Sequence, residues 1–257
     1  MRRIQKRQTE PQKHDGSQRN GFAYSLRLSV FACALFCSLA SIGFAQFDPT
    51  RLMEETANYR MVSAGKQIGV ANVSIRREVQ NEIPLIRIVQ VISGAFNQTT
   101  EVLLRGDSTL QTISSYTNIT QANQSHVIRL NYKSDRVSGR MELPPALGGD
   151  RRIDELIPSG TVDFNAAEFA LRASDLKVGK IITFPLFNPQ QGGRLSYRAT
   201  VSRLEEITVP AGTFRCRRVE VSAGQAGQIF FFDDKAPHRL ILQKLPALSI
   251  DIELLPK

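Results

Sequence analysis

Three groups in this 257-residue chain carry side chains whose type and spacing could do chemistry: Cys216, the turn Asp233-Asp234-Lys235-Ala236-Pro237-His238, and the adjacent pair Glu205-Glu206. A lone cysteine becomes a nucleophile when a histidine and an acid converge on it. Arg215 and Arg217 flank Cys216 and would lower its pKa if the thiol were exposed. Period-two alternation instead places Cys216 on the face of Phe214, pointing to the core as a small hydrophobe. The Asp233 to His238 stretch reads as a polar hairpin turn between strand-like runs 228–232 and 239–243. Glu205 and Glu206 sit on a strand, where neighbouring side chains point to opposite faces and cannot flank one substrate. Tyr197, Ala199 and Val201 are in phase with each other but not with Leu204, which predicts a bulge near 203–206. After residue 45 the only histidines are His126 and His238, and no His-x-x-x-His or Cys-x-x-Cys is present. No zinc site is expected on that spacing. A Gly-x-Ser-x-Gly elbow, a phosphate-cradling glycine loop and a dinucleotide fingerprint are all missing. The reading is therefore of no catalytic, cofactor-binding or metal-ligating set.

The elements that would position these residues begin after a leader. Residues 1–27 are polar and basic, and 28–44 (LSVFACALFCSLASIGF) carry no charge. Seventeen residues, four of them Ser or Gly, lie at the short edge of the roughly 17–25 needed for a transmembrane helix. A basic n-region, an apolar core and the small residues Gly43 and Ala45 describe a secretory signal, with cleavage expected after Ala45. The alternative is an uncleaved anchor over 28–44. Cys33 follows Val30-Phe31-Ala32, too close to Arg27 for a lipid-modified cysteine.

Removing 1–45 changes the charge argument. The whole chain carries 33 Lys and Arg, 24 Asp and Glu, and a formal charge of +9; the leader holds seven of the bases and two of the acids. What remains is 26 against 22, or +4. That balance, scattered arginine pairs and the absence of Trp argue against a nucleic-acid surface. Only Cys216 survives cleavage, so no intrachain disulfide can form.

Beyond the leader, period-two alternation dominates. Ala71, Val73 and Ile75, then Val137, Gly139 and Met141, then Leu248, Ile250, Ile252 and Leu254 each alternate with polar neighbours. One wet and one dry face is the habit of antiparallel sheets. Runs 85–92 and 229–232 are apolar on both faces and read as central or closing strands. Ala64-Gly65-Lys66, Lys133-Ser134-Asp135, Gln190 to Gly193 and Val209-Pro210-Ala211-Gly212 fall at hairpin spacing. The stretch 164–176 (FNAAEFALRASDL) is the exception, with Phe164, Ala167, Leu171 and Ser174 at helical spacing, ending before Gly179. The fold expected is all-β and mainly antiparallel. It is a single barrel-like or curved-sheet sandwich domain over 46–257 with one short helix, and 144–150 is a loop before that helix.

At the carboxyl half the residues become specific. The order runs Leu176-x-Val178-Gly179-Lys180, then Glu206-x-x-Val209-Pro210-Ala211-Gly212-Thr213-Phe214-x-Cys216, then Asp233-Asp234-x-Ala236-Pro237-His238. This resembles the exported bacterial proteins of the DUF3108 domain family and the related PAGTF-type envelope proteins. Tyr59-Arg60 and Ala64-Gly65-x-x-Ile68-Gly69 resemble that family's opening strand and hairpin. The resemblance spans roughly 55–255. It implies an exported β-rich fold and a structural motif of Gly179, Pro210, Ala211, Gly212, Thr213, Phe214, Cys216, Asp233 and Pro237. It carries no catalytic residues.

Two functional readings follow. The first is a periplasmic or secreted, non-catalytic module of the cell envelope that binds an apolar ligand or lipid within its β domain. Its bland counterpart is that the Phe residues simply fill a core. The second is an envelope interaction or assembly factor acting through an exposed strand edge or apolar patch. A hydrolase-like enzyme using Cys216 ranks last.

Overall fold

The computed structural model describes residues 47–121, 124–191, 193–222 and 227–257. The leader, its cleavage point and the anchor alternative lie outside the described residues.

The first half of the chain is a run of hairpins: β1 (Glu55–Ser63), β2 (Lys66–Gln80), β3 (Ile83–Gly94), β4 (Asn97–Arg105), β5 (Thr112–Gln121), β6 (Gln124–Tyr132), β7 (Arg136–Glu142) and β8 (Arg151–Leu156). A two-residue strand β9 (Val162–Asp163) leads into helix α1 (Ala167–Arg172). The second half continues with β10 (Ile181–Asn188), β11 (Gly193–Val209), β12 (Gly212–Ser222), β13 (Gln228–Asp233), β14 (Leu240–Leu245) and β15 (Ile250–Leu254). All fifteen strands belong to one sheet, ordered β8-β7-β6-β5-β4-β3-β2-β1-β15-β14-β13-β12-β11-β10-β9. Each half is a meander of sequence neighbours, and the two halves join where β1 pairs antiparallel with β15, Tyr59 opposite Leu254. Pairing is antiparallel except between β9 and β10.

This is the all-β, mainly antiparallel architecture expected, with one correction to the barrel alternative. The sheet has two free ends, β8 and β9, and does not close by strand pairing. The ends meet by packing instead. Phe187 of β10 lies in a hydrophobic cluster with Leu130, Tyr132, Val137 and Ile153 from β6, β7 and β8, and Tyr132 and Phe187 meet edge to face at 6.3 Å.

Alternation does what it promised at β2, where Ala71, Val73 and Ile75 are buried, and at β7, where Val137 and Met141 are. Phe230, Phe231 and Phe232 are all buried, as a two-sided central strand requires. The expected irregularity in β11 falls at Ser202, between Val201 and Arg203, just upstream of the predicted place. The carboxyl-terminal strand is shorter than its pattern suggested: Pro246 to Leu248 form a tight helical turn and Ser249 takes φ +52°, so Leu248 is exposed and β15 starts at Ile250.

The predicted helix is also shorter. Asp163 caps a tight turn, Phe164–Ala166, by accepting from the Asn165 N–H at 2.8 Å, and α1 proper runs only from Ala167 to Arg172. The Ser174 hydroxyl then donates to the Ala170 carbonyl at 2.8 Å, taking an acceptor that another helical turn would use. Ala167, Phe169, Ala170, Leu171 and Arg172 are buried, so α1 is enclosed rather than amphipathic. The amino end tucks in beside it: Phe47 is buried edge to face against Phe184 at 5.8 Å, and the Asp48 N–H donates to the Ala173 carbonyl at 2.8 Å.

Candidate functional site

The nine motif residues build a joint in the second meander. Gly179 sits at φ +87° in the turn closed by Lys180 N–H to Lys177 O, and its own N–H reaches the Val201 carbonyl at 2.8 Å. Pro210 and Ala211 are the tip between β11 and β12, with Gly212 at φ +129°. The Ala211 N–H donates to the Leu254 carbonyl at 3.2 Å, fastening that tip to β15. The Thr213 and Thr208 hydroxyls pair at 3.0 Å, while Phe214 packs half-buried on the core.

Cys216 is fully buried and directly opposite Asp233 in the β12–β13 register. Burial, with Asp233, Asp234 and Glu205 nearby, pushes its thiol up to about 12. Its sulfur leans on the Phe214 carbonyl at 3.6 Å and not on His238. His238 is itself buried, its Nδ1 donating to the Asp233 carbonyl at 2.8 Å, next to the cis Ala236-Pro237 bond. Burial, with Arg217 and Arg51 close by, holds His238 below its ordinary range. Asp234 pairs with Arg217 at 2.8 Å, and Arg217 also donates to the Leu176 carbonyl at 2.6 Å. The turn is thus a well-tied hairpin, and Cys216, His238 and the acids do not form a relay. Glu205 pairs with Arg203 and Arg218 on one face of β11, and Glu206 is exposed.

The arrangement that could hold a molecule lies elsewhere. A cavity of about 520 Å³ opens between α1 and strands β3, β4, β11, β13 and β14. Its floor is Ala167, Tyr197 and Phe230, all buried. Phe164, Asn165 and Glu168 line it from the helical segment, and Gln90, Gln98, Gln228 and Gln243 from four strands. Gln191, Ala247 and exposed Leu248 are at the rim. None of the nine motif residues lines it.

Two polar groups in this wall are unusual. Tyr197 is only 2 % exposed, stacks on Phe184 at 4.8 Å, and its hydroxyl has no hydrogen-bond partner among the described residues. Burial pushes Glu168 up to about 7, with Arg172 pulling the other way and Glu55 adding to the rise. Behind them Arg172 meets Glu55 at 2.7 Å, and Arg239 reaches the other Glu55 oxygen at 3.1 Å.

A second buried acid braces the near wall. Asp163 accepts from Ser115 Oγ at 2.7 Å, from the Tyr132 hydroxyl, and from the backbone and side chain of Asn165. It ties β9 to β5 and β6, and burial raises its pKa against those hydrogen bonds.

Sequence reasoning missed Glu168, Tyr197, Asp163 and the glutamines. The signal available was the spacing of Glu168 and Arg172 one turn apart in an Ala, Phe and Leu-rich helix, and Gln228 in phase with Phe230 and Phe232. Among the described residues no group of three or more His, Cys, Asp or Glu could hold a metal ion, and no helix is long and apolar enough to cross a membrane.

Residues 58–248 match the model of the family described as protein of unknown function, DUF3108. The chain belongs to that family. The match takes in most of β1 through all of β14 and every motif residue of the joint. No curated protein matches the chain in sequence. Among solved structures, a Bacteroides fragilis protein described as a "putative exported protein with YmcC-like fold" is similar at 9% identity, covering 82% of this DUF3108 chain and 98% of its own, with a TM-score of 0.33.

Proposed function

We propose that this DUF3108 protein is an exported, non-catalytic module of the bacterial cell envelope, periplasmic or secreted, that holds a small ligand in the cavity beside α1. The observation that carries the reading is the cavity itself. At about 520 Å³ it falls in the range of roughly 300–1,000 Å³ typical of ligand sites. Tyr197 in its floor carries a buried hydroxyl with no partner among the described residues, where buried polar groups are as a rule paired. The Phe-rich strand β13 fills core, as its bland reading held, yet Phe230 also serves as floor. The wall is too rich in amides for a wholly apolar ligand, so the lipid expectation narrows to a molecule with a polar part.

Export is supported by the leader pattern of 1–45 and by Phe47, buried two residues past the expected cleavage point. Absence of catalysis is supported by the thiol at about 12 and by the lack of any hydrogen bond between Cys216 and His238. Purifying the protein from the envelope of a bacterium expressing the full chain, then recording its native mass and amino-terminal sequence, tests both parts. The expected result is a chain starting at Gln46 with a small bound mass. A folded chain that always carries the mass of protein alone overturns the ligand reading.

The assembly-factor reading has one observation of its own. β8 is a free sheet edge with exposed Arg151, Arg152 and Leu156, open to strand addition. Cross-linking at Arg152→Cys in the envelope separates it from the first: a single protein adduct favours assembly, and none disfavours it.

A further inference from the structure

We infer that the part of the ligand recognised in the cavity is an uncharged, hydroxyl-rich group, a saccharide unit, held by amide side chains around Tyr197 and Glu168. This rests on the cavity being the ligand site. Six primary amides line it: Gln90, Gln98, Asn165, Gln191, Gln228 and Gln243. An amide offers two donors and an acceptor on one flat group, which matches a sugar hydroxyl that both gives and takes. Among the described residues, the side chains of Gln90, Gln228 and Gln243 make no hydrogen bond, while Gln98 gives one N–H to Thr100 and Asn165 spends its own on Asp163 and Thr117. The amides of Gln90, Gln228 and Gln243 are therefore uncommitted toward the described residues.

The lining also says what does not fit. No Lys, Arg or His lines the cavity among the described residues, so a phosphate or carboxylate head would enter without a counter-charge. The one carboxyl, Glu168, is raised to about 7 by burial, so near neutral pH it offers a cationic head only part of a charge. Half-buried Phe164 gives an apolar surface against which the C–H face of a pyranose can lie, above buried Phe230. The Tyr197 hydroxyl, buried and unpartnered, is the group for which a ligand hydroxyl would supply the missing partner.

A sugar of this kind could arrive free or as the head of a glycolipid, whose chain would run over Leu245 and Leu248. Four probes distinguish these sources and test the chemistry: maltose, and below their micelle concentrations dodecyl maltoside, dodecyltrimethylammonium and dodecanoate, which put a neutral, a cationic and an anionic head on one chain. Each is titrated into the folded protein while the side-chain amide signals of Gln90, Gln228 and Gln243 are followed by NMR. The expected result is that maltose and dodecyl maltoside move those signals, and that the maltoside binds at least tenfold more tightly than the two charged amphiphiles. Equal affinity for maltose and maltoside assigns a free saccharide, and a much tighter maltoside assigns a glycolipid. Tyr197→Phe and Gln243→Met each weaken maltoside binding about tenfold, with the thermal midpoint of Tyr197→Phe unchanged or raised. Three heads binding alike, or glutamine signals that stay put while Phe230 and Leu245 move, overturns the saccharide inference and leaves the cavity reading intact. If no probe binds, the saccharide inference falls, and the cavity reading falls with it only when envelope-purified protein is also free of bound mass.

Discussion

Arg172, on the enclosed helix, lies 2.7 Å from Glu55, at the start of the first strand, with side chains 1 % and 6 % exposed. The pair is close but out of hydrogen-bond alignment, and the Arg172 Nε and Nη2 have no aligned partner. Such a pair is costly to halve and cheap to replace whole, because breaking it strands a charge away from water.

Arg172→Met is therefore expected to lower stability by about 3–5 kcal/mol in urea unfolding, while Glu55→Gln combined with Arg172→Met recovers most of that loss. A single variant within about 0.5 kcal/mol of the parent would show that Arg239 alone suffices for Glu55.

Glu168 gives a pH signature. Its folded value is about 7 against an ordinary 4.5, so the folded state keeps a proton that the unfolded chain releases between those values. The contribution to stability is full below about 4.5 and is lost as pH rises through about 7. Glu168→Gln should match the parent near pH 4.5 and exceed it at pH 8.5. Urea midpoints of both proteins at the two pH values check this, and identical pH profiles would refute it.

Cys216 should be silent in the folded protein. A buried thiol held at about 12 leaves almost no thiolate at pH 8, so a disulfide reagent is expected to label it only after denaturant is added. Stoichiometric labelling of the native protein within minutes would restore the nucleophile reading.

Asp163 should behave as a tie. Tyr132→Phe removes one donor to a buried carboxylate and is expected to cost about 1.5–3 kcal/mol, and Asp163→Ala more, because it orphans Ser115 and Tyr132 together. Losses under about 0.5 kcal/mol for both, by urea unfolding, would mean that the sheet ends are held by Phe187 packing alone.

The sheet was legible in the sequence because its information is local. Ala71, Val73 and Ile75 announce a dry face, and Pro210-Ala211-Gly212 announces a hairpin, without reference to anything distant. What was illegible depends on curvature. That α1 would be enclosed, and that Glu168 and Tyr197 would share one wall with glutamines from β3, β4, β13 and β14, follows from how fifteen strands bend, which no period records. The same limit explains the barrel expectation: alternation fixes faces, while closure depends on the accumulated twist and shear of the strands. Cys216 and the Asp233 to His238 turn attracted attention because rare residue types stand out in a string. In space they are neighbours, Cys216 opposite Asp233, but their groups are committed to holding the turn.

The seam between β1 and β15 sets a timetable. A polypeptide emerges amino end first, so the whole first meander can zip up from neighbours while one side of β1 waits for residues 250–254, at the far end of the second meander. Until then the backbone of β1 is a bare template for any passing strand. A chain cut short before residue 250 would leave the template bare for good, and should be lost to clumping rather than to faulty chemistry. The five residues of β15 are the lid that lets a nascent sheet become a finished one.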